Sequence, residues 1–332
     1  MRALESRTPT VQRPAARDAQ AGFLMPFRSE MRSRSDHRRA LVFMLIAPVC
    51  WSTGGLFVRL LSFADPWEIV FWRSLFMAMF VAVALAVMHG RHVRNAVFAV
   101  GWPGLLSGAF LAGQFFLFIA SLTRTTVANT FVLMSISPFL AAIAARIFLH
   151  ERVPVRTVVA MSVAFAGIVI MFADSVDSGR LAGNLLAMGV SVLFALNVTV
   201  LRKVHATVDM LPTVMIAGLI SIVIALPLAL PMQATSTDLL VLGVMGSIQL
   251  GTGCLLLVAA SRHLTATELG LLALLEPILG PIWVWALLGE HPGMLALVGG
   301  AIVLGAVVVN EAYGAWRGRP DSAGLPATTP GP

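Results

Sequence analysis

Two ionisable side chains stand where their surroundings offer little water. Glu276 interrupts LLALLEPILGPIWVWALLGE, and Arg73 interrupts EIVFWRSLFMAMFV. A carboxylate in such a stretch has to be protonated, paired or reached by water. Glu276 could therefore carry a coupling proton or meet an amine, or it could be a neutral acid bonding the backbone that Pro277 frees. A planar guanidinium at Arg73 could hold a carboxylate with two parallel hydrogen bonds, or form a structural ion pair with Glu68 or a helix end. Gln114, Asn129, Asn197 and Gln249 are neutral hydrogen-bonding groups in other apolar stretches, and Trp51 adds a bulky ring with one donor. Each could line a solute pathway or tie helices together. Asn197, near the middle of its stretch, is the strongest pathway candidate among them. Pro138, Pro277 and Pro281 remove helix donors and leave carbonyls free to line a cavity or bond a neighbour.

These residues need long apolar elements to position them, and the composition supplies such elements. The 332 residues are 58% hydrophobic and 12% charged, with mean hydropathy +0.87. That excludes an ordinary soluble domain and indicates a polytopic membrane protein embedded in a lipid bilayer. A helical crossing takes about 20 apolar residues. Ten such stretches are predicted, at 40 to 61, 66 to 88, 97 to 122, 125 to 148, 155 to 173, 182 to 203, 211 to 231, 239 to 261, 265 to 288 and 293 to 313. Residues 1–39, with nine arginines against four acids, are predicted to be a disordered basic cytoplasmic tail, and residues 314–332 a second disordered tail.

Charge sets the expected orientation. With the N-terminus inside, 19 of the 23 Lys and Arg residues fall on the inner side and three, Arg59, Arg124 and Arg180, on the outer side. Such asymmetry is the positive-inside signature and supports a count of ten with both termini cytoplasmic. It also accounts for the net charge of +7 without nucleic acid, which is not expected as a partner. Arginine outnumbers lysine 22 to 1, as in a GC-rich bacterial coding sequence, so a multi-pass place in the bacterial inner membrane is expected.

The chain also repeats itself. Thr126 to Glu151 and Thr265 to Glu290 align at a spacing of 139, with Leu133/Leu272, Pro138/Pro277, Leu140/Leu279 and Ile143/Ile282 identical. Trp51-Ser52 to Arg59 answers Phe194-Ala195 to Arg202, and Ser162 and Gly167 answer Gly300 and Gly305 as expected packing contacts. Two repeats, 40–173 and 181–313, each with an odd number of five crossings, must lie in the membrane with opposite topology. A midplane site between them is then expected, where the two halves differ by Ser137 against Glu276.

Residues Trp51 through Arg59, Arg73-Ser74, Ala128 through Pro138 running to Glu151, and Glu276-Pro277 running to Gly289-Glu290 resemble the drug/metabolite transporter superfamily, in its EamA type with two tandem EamA units. The resemblance covers roughly 40 to 310. It implies a ten-helix secondary transporter, often an exporter of amino acids or related metabolites, with a central cavity between the halves. The long basic N-terminal tail and Ser137 opposite Glu276 depart from a symmetric pair of units.

The chemistry that is missing narrows the field. The single lysine, Lys203, is followed by Val204 and completes no phosphate-binding loop, so ATP-driven transport is not expected. His150-Glu151 has Pro154 where a zinc-protease helix needs its second histidine, and no G-x-S-x-G turn occurs. Cys50 and Cys254 lie in apolar stretches and suggest neither a disulfide nor a metal site. No cofactor is called for. The expected function is alternating-access transport of a small solute, with Glu276 and Arg73 tuning the site for a zwitterion or similar molecule, and gradients, a proton among the candidates, as the energy source. The alternative is a membrane-embedded enzyme acting on lipid-linked substrates, which would need clustered acids or histidines at one interface.

Overall fold

The computed structural model describes residues 36–90, 93–148, 150, 153–177, 179–203, 210–261, 263–264 and 272–317. Most of both tails, and Glu151, Arg152, Arg262, Thr265 and Glu268, lie outside the described residues. All regular structure among the described residues is helical. Seven helices are long and apolar enough to cross a membrane: α1 (Asp36–Leu60), α2 (Pro66–His89, apolar through Met88), α3 (Gly101–Leu122), α4 (Val127–Phe148), α6 (Leu181–Lys203, apolar through Val200), α8 (Ser236–Ala260) and α10 (Met294–Arg317, apolar through Gly314). Three further apolar segments are shorter: Val155–Ile170 within α5 (Val155–Asp177), Leu211–Ala225 within α7 (Met210–Ala225), and α9 (Leu275–Leu288).

Several boundaries differ from the sequence expectation. Helix α1 is already formed at Asp36, ahead of the predicted 40, and the stretch predicted from 97 is divided at Val100 into a short helix, Val93–Ala99, and α3. A positive φ of 56° at Gly101 marks that break. The turns that meet at the Arg59 end of the bundle are sharply capped. Asp65 accepts from the amides of Trp67 and Glu68 with Pro66 at the first helical position, Thr126 accepts from the amide of Asn129, and Thr235 and Asp238 form a reciprocal capping box.

The prolines break their helices at equivalent positions. Helix α4 is interrupted by a turn at Ser135 and Ile136, and a turn at Leu274 precedes α9, so both breaks fall three residues before Pro138 and Pro277. A proline cannot donate to the carbonyl four residues back, which leaves that carbonyl open. In α4 it is taken up at once: the hydroxyl of Ser137 donates to the Met134 carbonyl at 2.5 Å, and Ser191 of α6 reaches the carbonyls of Leu133 and Met134 at 3.1 and 3.2 Å. Pro281 lies inside α9.

Helix contacts pair elements five apart. Helix α2 packs on α7, α4 on α9 and α5 on α10. Further cross-half contacts include two matched sets, α3 with α7 and α8 with α2, then α4 with α6 and α9 with α1, and α3 also packs extensively on α6. Small residues allow the close approaches. A Cβ on Gly167 of α5 would stand 2.7 Å from the Gly299 carbonyl of α10, and one on Gly280 of α9 would stand 2.4 Å from the Phe131 ring of α4. Among the expected packing positions, Gly167 and Gly300 do meet side chains or backbone, whereas Gly305 faces open space and Ser162 is exposed.

Candidate functional site

Arg73 lies about 10 Å along α2 from its first residue, at about 1.5 Å per residue. It is only 2% exposed and is among the largest fully buried side chains. Its guanidinium lies over Phe115, 5.0 Å from the ring centroid, and beside Phe118 at 5.9 Å, both from α3. Both rings lie within cation–π distance of the charged group. Its Nε and Nη2 are buried without a hydrogen-bond partner.

The ion pair with Glu68 that the sequence left open is not formed. Glu68 is fully buried and accepts instead from the backbone amides of Gln233 and Ala234, at 2.8 and 2.9 Å, and from the indole of Trp72 at 3.3 Å. The reason is helical register. Trp72, four residues on, shares the face of Glu68, whereas Arg73, five residues on, points elsewhere.

The wall opposite Arg73 is the middle of α8. Residues Met245–Thr252 form a π-helical segment in which Gly246 and Gly251 let the backbone close on α2. A Cβ at Gly246 would lie 2.4 Å from the Arg73 carbonyl. Gln249, in the same segment, donates through Nε2 to the Trp51 carbonyl at 3.1 Å, while its Oε1 is buried without a partner. The Nε1 of Trp51 is likewise buried and unpartnered. One turn on in α8, Cys254 lies within electrostatic reach of both Arg73 and Glu276. Single-turn π segments inside helices are frequent at functional sites.

Glu276 is half-buried near the start of α9, beside the break at Leu274. Among the described residues it forms neither an ion pair with Arg73 nor a bond to the backbone that Pro277 frees. On the same helix, the Trp283 indole donates to the Ser52 hydroxyl of α1 at 2.9 Å. The structure thus gathers Trp51, Arg73 and Gln249 around α1, α2, α3 and α8, with Glu276 approaching from α9 through Cys254.

Of the other candidates, Asn197 and Asn129 are engaged in ties between helices. Asn197 accepts from the Ser107 hydroxyl of α3, at 2.5 Å. Asn129 is fully buried and donates to Thr125 and Asn184, with its own Oδ1 unpartnered. Gln114 reaches only the Phe110 carbonyl of its own helix, at 3.4 Å. Among the described residues no cluster of three or more His, Cys, Asp or Glu could hold a metal ion.

One arrangement was not anticipated as a pairing. At the end of the bundle where α1 finishes, Arg59 donates through Nε to Glu290 at 2.9 Å, and through its two terminal nitrogens to the carbonyls of Leu122 and Thr125. Glu290 also accepts from the Val127 amide at 3.1 Å. This knot joins α1 and the α3–α4 turn of the first half to the end of α9 in the second. Beside it, Asp238 accepts from the backbone and hydroxyl of Ser62, and Glu68 holds the chain before α8. The signal was in the sequence, since Arg59 and Glu290 both close apolar stretches at the same face of the bundle.

Helices spanning a bilayer in two matched halves, broken at equivalent prolines and with a buried charge between them, define a multi-pass membrane protein of the tandem-repeat class. The profile of the EamA-like transporter family matches residues 38–173 and 181–311, so the chain belongs to that family as two tandem EamA units. A solved structure described as a crystal structure of a protein is similar over 82% of this chain and 97% of that chain, with TM-score 0.60 and 17% identity. At that identity it shows the fold alone. No curated protein matches.

Proposed function

We propose that the protein is a secondary transporter, an exporter of amino acids or related small metabolites working by alternating access in the bacterial inner membrane. Its ten crossings comprise the seven long helices and the three shorter apolar ones, with both termini cytoplasmic. On that orientation the Arg59 end faces outward. The observation that carries the reading is the knot of Arg59, Glu290, Leu122, Thr125 and Val127, reinforced by Ser62–Asp238 and Glu68, which together tie the two halves at the Arg59 end of the buried centre, while Thr157–Asn310 and His37–His263 join them at the opposite end. A seal made of exchangeable polar bonds between two rocking halves is what a transporter needs on the side closed to solvent. Arg73, Trp51 and Gln249 lie below it, with Glu276 as the acid able to carry a coupling proton.

Counterflow in proteoliposomes tests the reading. Vesicles preloaded with each member of a panel of amino acids, nucleobases and amines should take up the matching radiolabelled solute against no net gradient, and only in the presence of the protein. Absence of counterflow for the whole panel, with correctly inserted protein, would remove the assignment of substrate class.

A further inference from the structure

The buried edge of Arg73 has a specific shape. Its two unpartnered nitrogens, Nε and Nη2, are the adjacent pair on one side of the guanidinium, and their N–H bonds run parallel. That edge matches the two oxygens of a carboxylate. Phe115 and Phe118 lie at cation–π distance from the same group and offer it no hydrogen-bond acceptor, which leaves this edge open to one. The indole Nε1 of Trp51, packed in the same side-chain cluster as Phe115, adds a further unpartnered donor.

An ionised guanidinium buried without a counter-charge is costly, and a purely structural residue at this position would be served better by Met or Leu. The acids that could have neutralised it are held elsewhere. Glu68 is taken by Gln233 and Ala234, Asp238 by Ser62 and Thr235, Glu290 by Arg59 and Val127, and Asp65 caps α2. Glu276 makes no pair with Arg73. Among the described residues no acid fills this edge, which points to an acceptor from outside the chain.

We propose that the Nε and Nη2 edge of Arg73, assisted by Trp51, is an anion subsite that takes the carboxylate of a monocarboxylate or zwitterionic solute. The inference rests on the transport reading and narrows its substrate class. One arginine with a single free edge suits a monoanion. A phosphate dianion would call for a second cation, and Arg73 is the one basic residue deep within a predicted crossing, since Arg59, Arg146, Arg156, Arg202 and Lys203 stand at crossing ends. Neutral amides and amines lack the two acceptor oxygens, so they would leave the edge unfilled and should be rejected.

The test is thermal unfolding of the full-length protein in detergent, with L-leucine, 4-methylpentanoate, 4-methylpentanamide and chloride as probes. At concentrations well above the dissociation constant, at least one carboxylate should raise the midpoint by about 2–4 °C, and the amide should leave it unchanged. Arg73→Gln should abolish the shift and Arg73→Lys should keep part of it. Without any probe, Arg73→Met should unfold at a higher temperature than the wild type, because an unpaired buried charge is removed. A structural arginine would give the opposite sign. The proposal is overturned if neither carboxylate shifts the wild type, if the amide or chloride shifts it equally, or if Arg73→Gln retains the shift. Counterflow separates the two readings: a carboxylate shift without counterflow leaves the subsite standing and removes transport, and counterflow of amines alone does the reverse.

Discussion

Replacing Glu290 by Gln isolates the charge in the knot at the Arg59 end. The side chains of Arg59 and Glu290 are 29% and 23% exposed, so the pair is neither fully solvated nor dry. At an effective dielectric of about 20, two charges about 4 Å apart attract by about 4 kcal/mol, and partial exposure together with desolvation of both groups reduces the net contribution to about 1–2 kcal/mol. Glutamine keeps an oxygen for Arg59 or for the Val127 amide, so the hydrogen bonds survive in weakened form while the charge is lost. If the knot holds the bundle sealed, its weakening by about 1–2 kcal/mol raises the ratio of open to sealed forms about 5- to 30-fold. Cys254 reports on this, because it lies within electrostatic reach of the central charges Arg73 and Glu276. In a Cys50→Ala background, a membrane-impermeant thiol reagent applied from the Arg59 side should modify Cys254 about 5- to 30-fold faster in Glu290→Gln than in the parent. Arg59→Lys should give an intermediate rate, since it keeps the charge but cannot reach Glu290 and the carbonyls of Leu122 and Thr125 together. An unchanged rate in Glu290→Gln, with Cys254 reactive after unfolding, refutes the seal.

Three further outcomes follow from the packing and from the site. Ser191→Ala removes the hydroxyl that reaches the Leu133 carbonyl and the Met134 carbonyl freed by Pro138, and should destabilise the protein by about 1–2 kcal/mol, read as a lower unfolding midpoint in detergent. Gly280→Ala places a methyl 2.4 Å from the Phe131 ring at the α4–α9 contact and should destabilise by about 1–3 kcal/mol, whereas Gly305→Ala, in open space, should leave the midpoint unchanged. For Glu276→Gln, proteoliposome transport should lose its dependence on a pH gradient while exchange of solute continues. A retained pH-gradient response would assign the coupling proton elsewhere.

The sequence made visible what depends on local chemistry and on repetition. Proline lacks a backbone donor wherever it stands in a helix, so the breaks before Pro138 and Pro277 could be placed from the repeat alone, and both halves do break at Ser135 and Leu274. Burial of Arg73 followed from its apolar neighbours. Its partners did not, because they depend on helix register and on contacts between segments far apart in the chain. Glu68 satisfies its oxygens on Trp72 and on the Gln233 and Ala234 amides, leaving Arg73 to two phenylalanines of α3. The Arg59–Glu290 bond spans 231 positions, and nothing local marks it. The π segment of α8 was hidden for a similar reason, since it is needed only where Gly246 must close on the Arg73 backbone.

The comparison of Ser137 with Glu276 gives the two halves different tasks. In the first half the side chain before the proline closes its own break, as the Ser137 hydroxyl caps the Met134 carbonyl and Ser191 secures it from α6. That half is chemically complete, and its broken helix is fixed to a neighbour. In the second half the equivalent side chain is longer and ionisable, and among the described residues it bonds neither the backbone nor Arg73. The repeat therefore keeps the geometry of the break on both sides while leaving only one side with an uncommitted group. Glu276→Ser, which copies the first half, should then raise the unfolding midpoint by letting α9 bond its own freed carbonyl, and should lower transport. A drop in the midpoint together with full transport would show that Glu276 serves the fold rather than the solute.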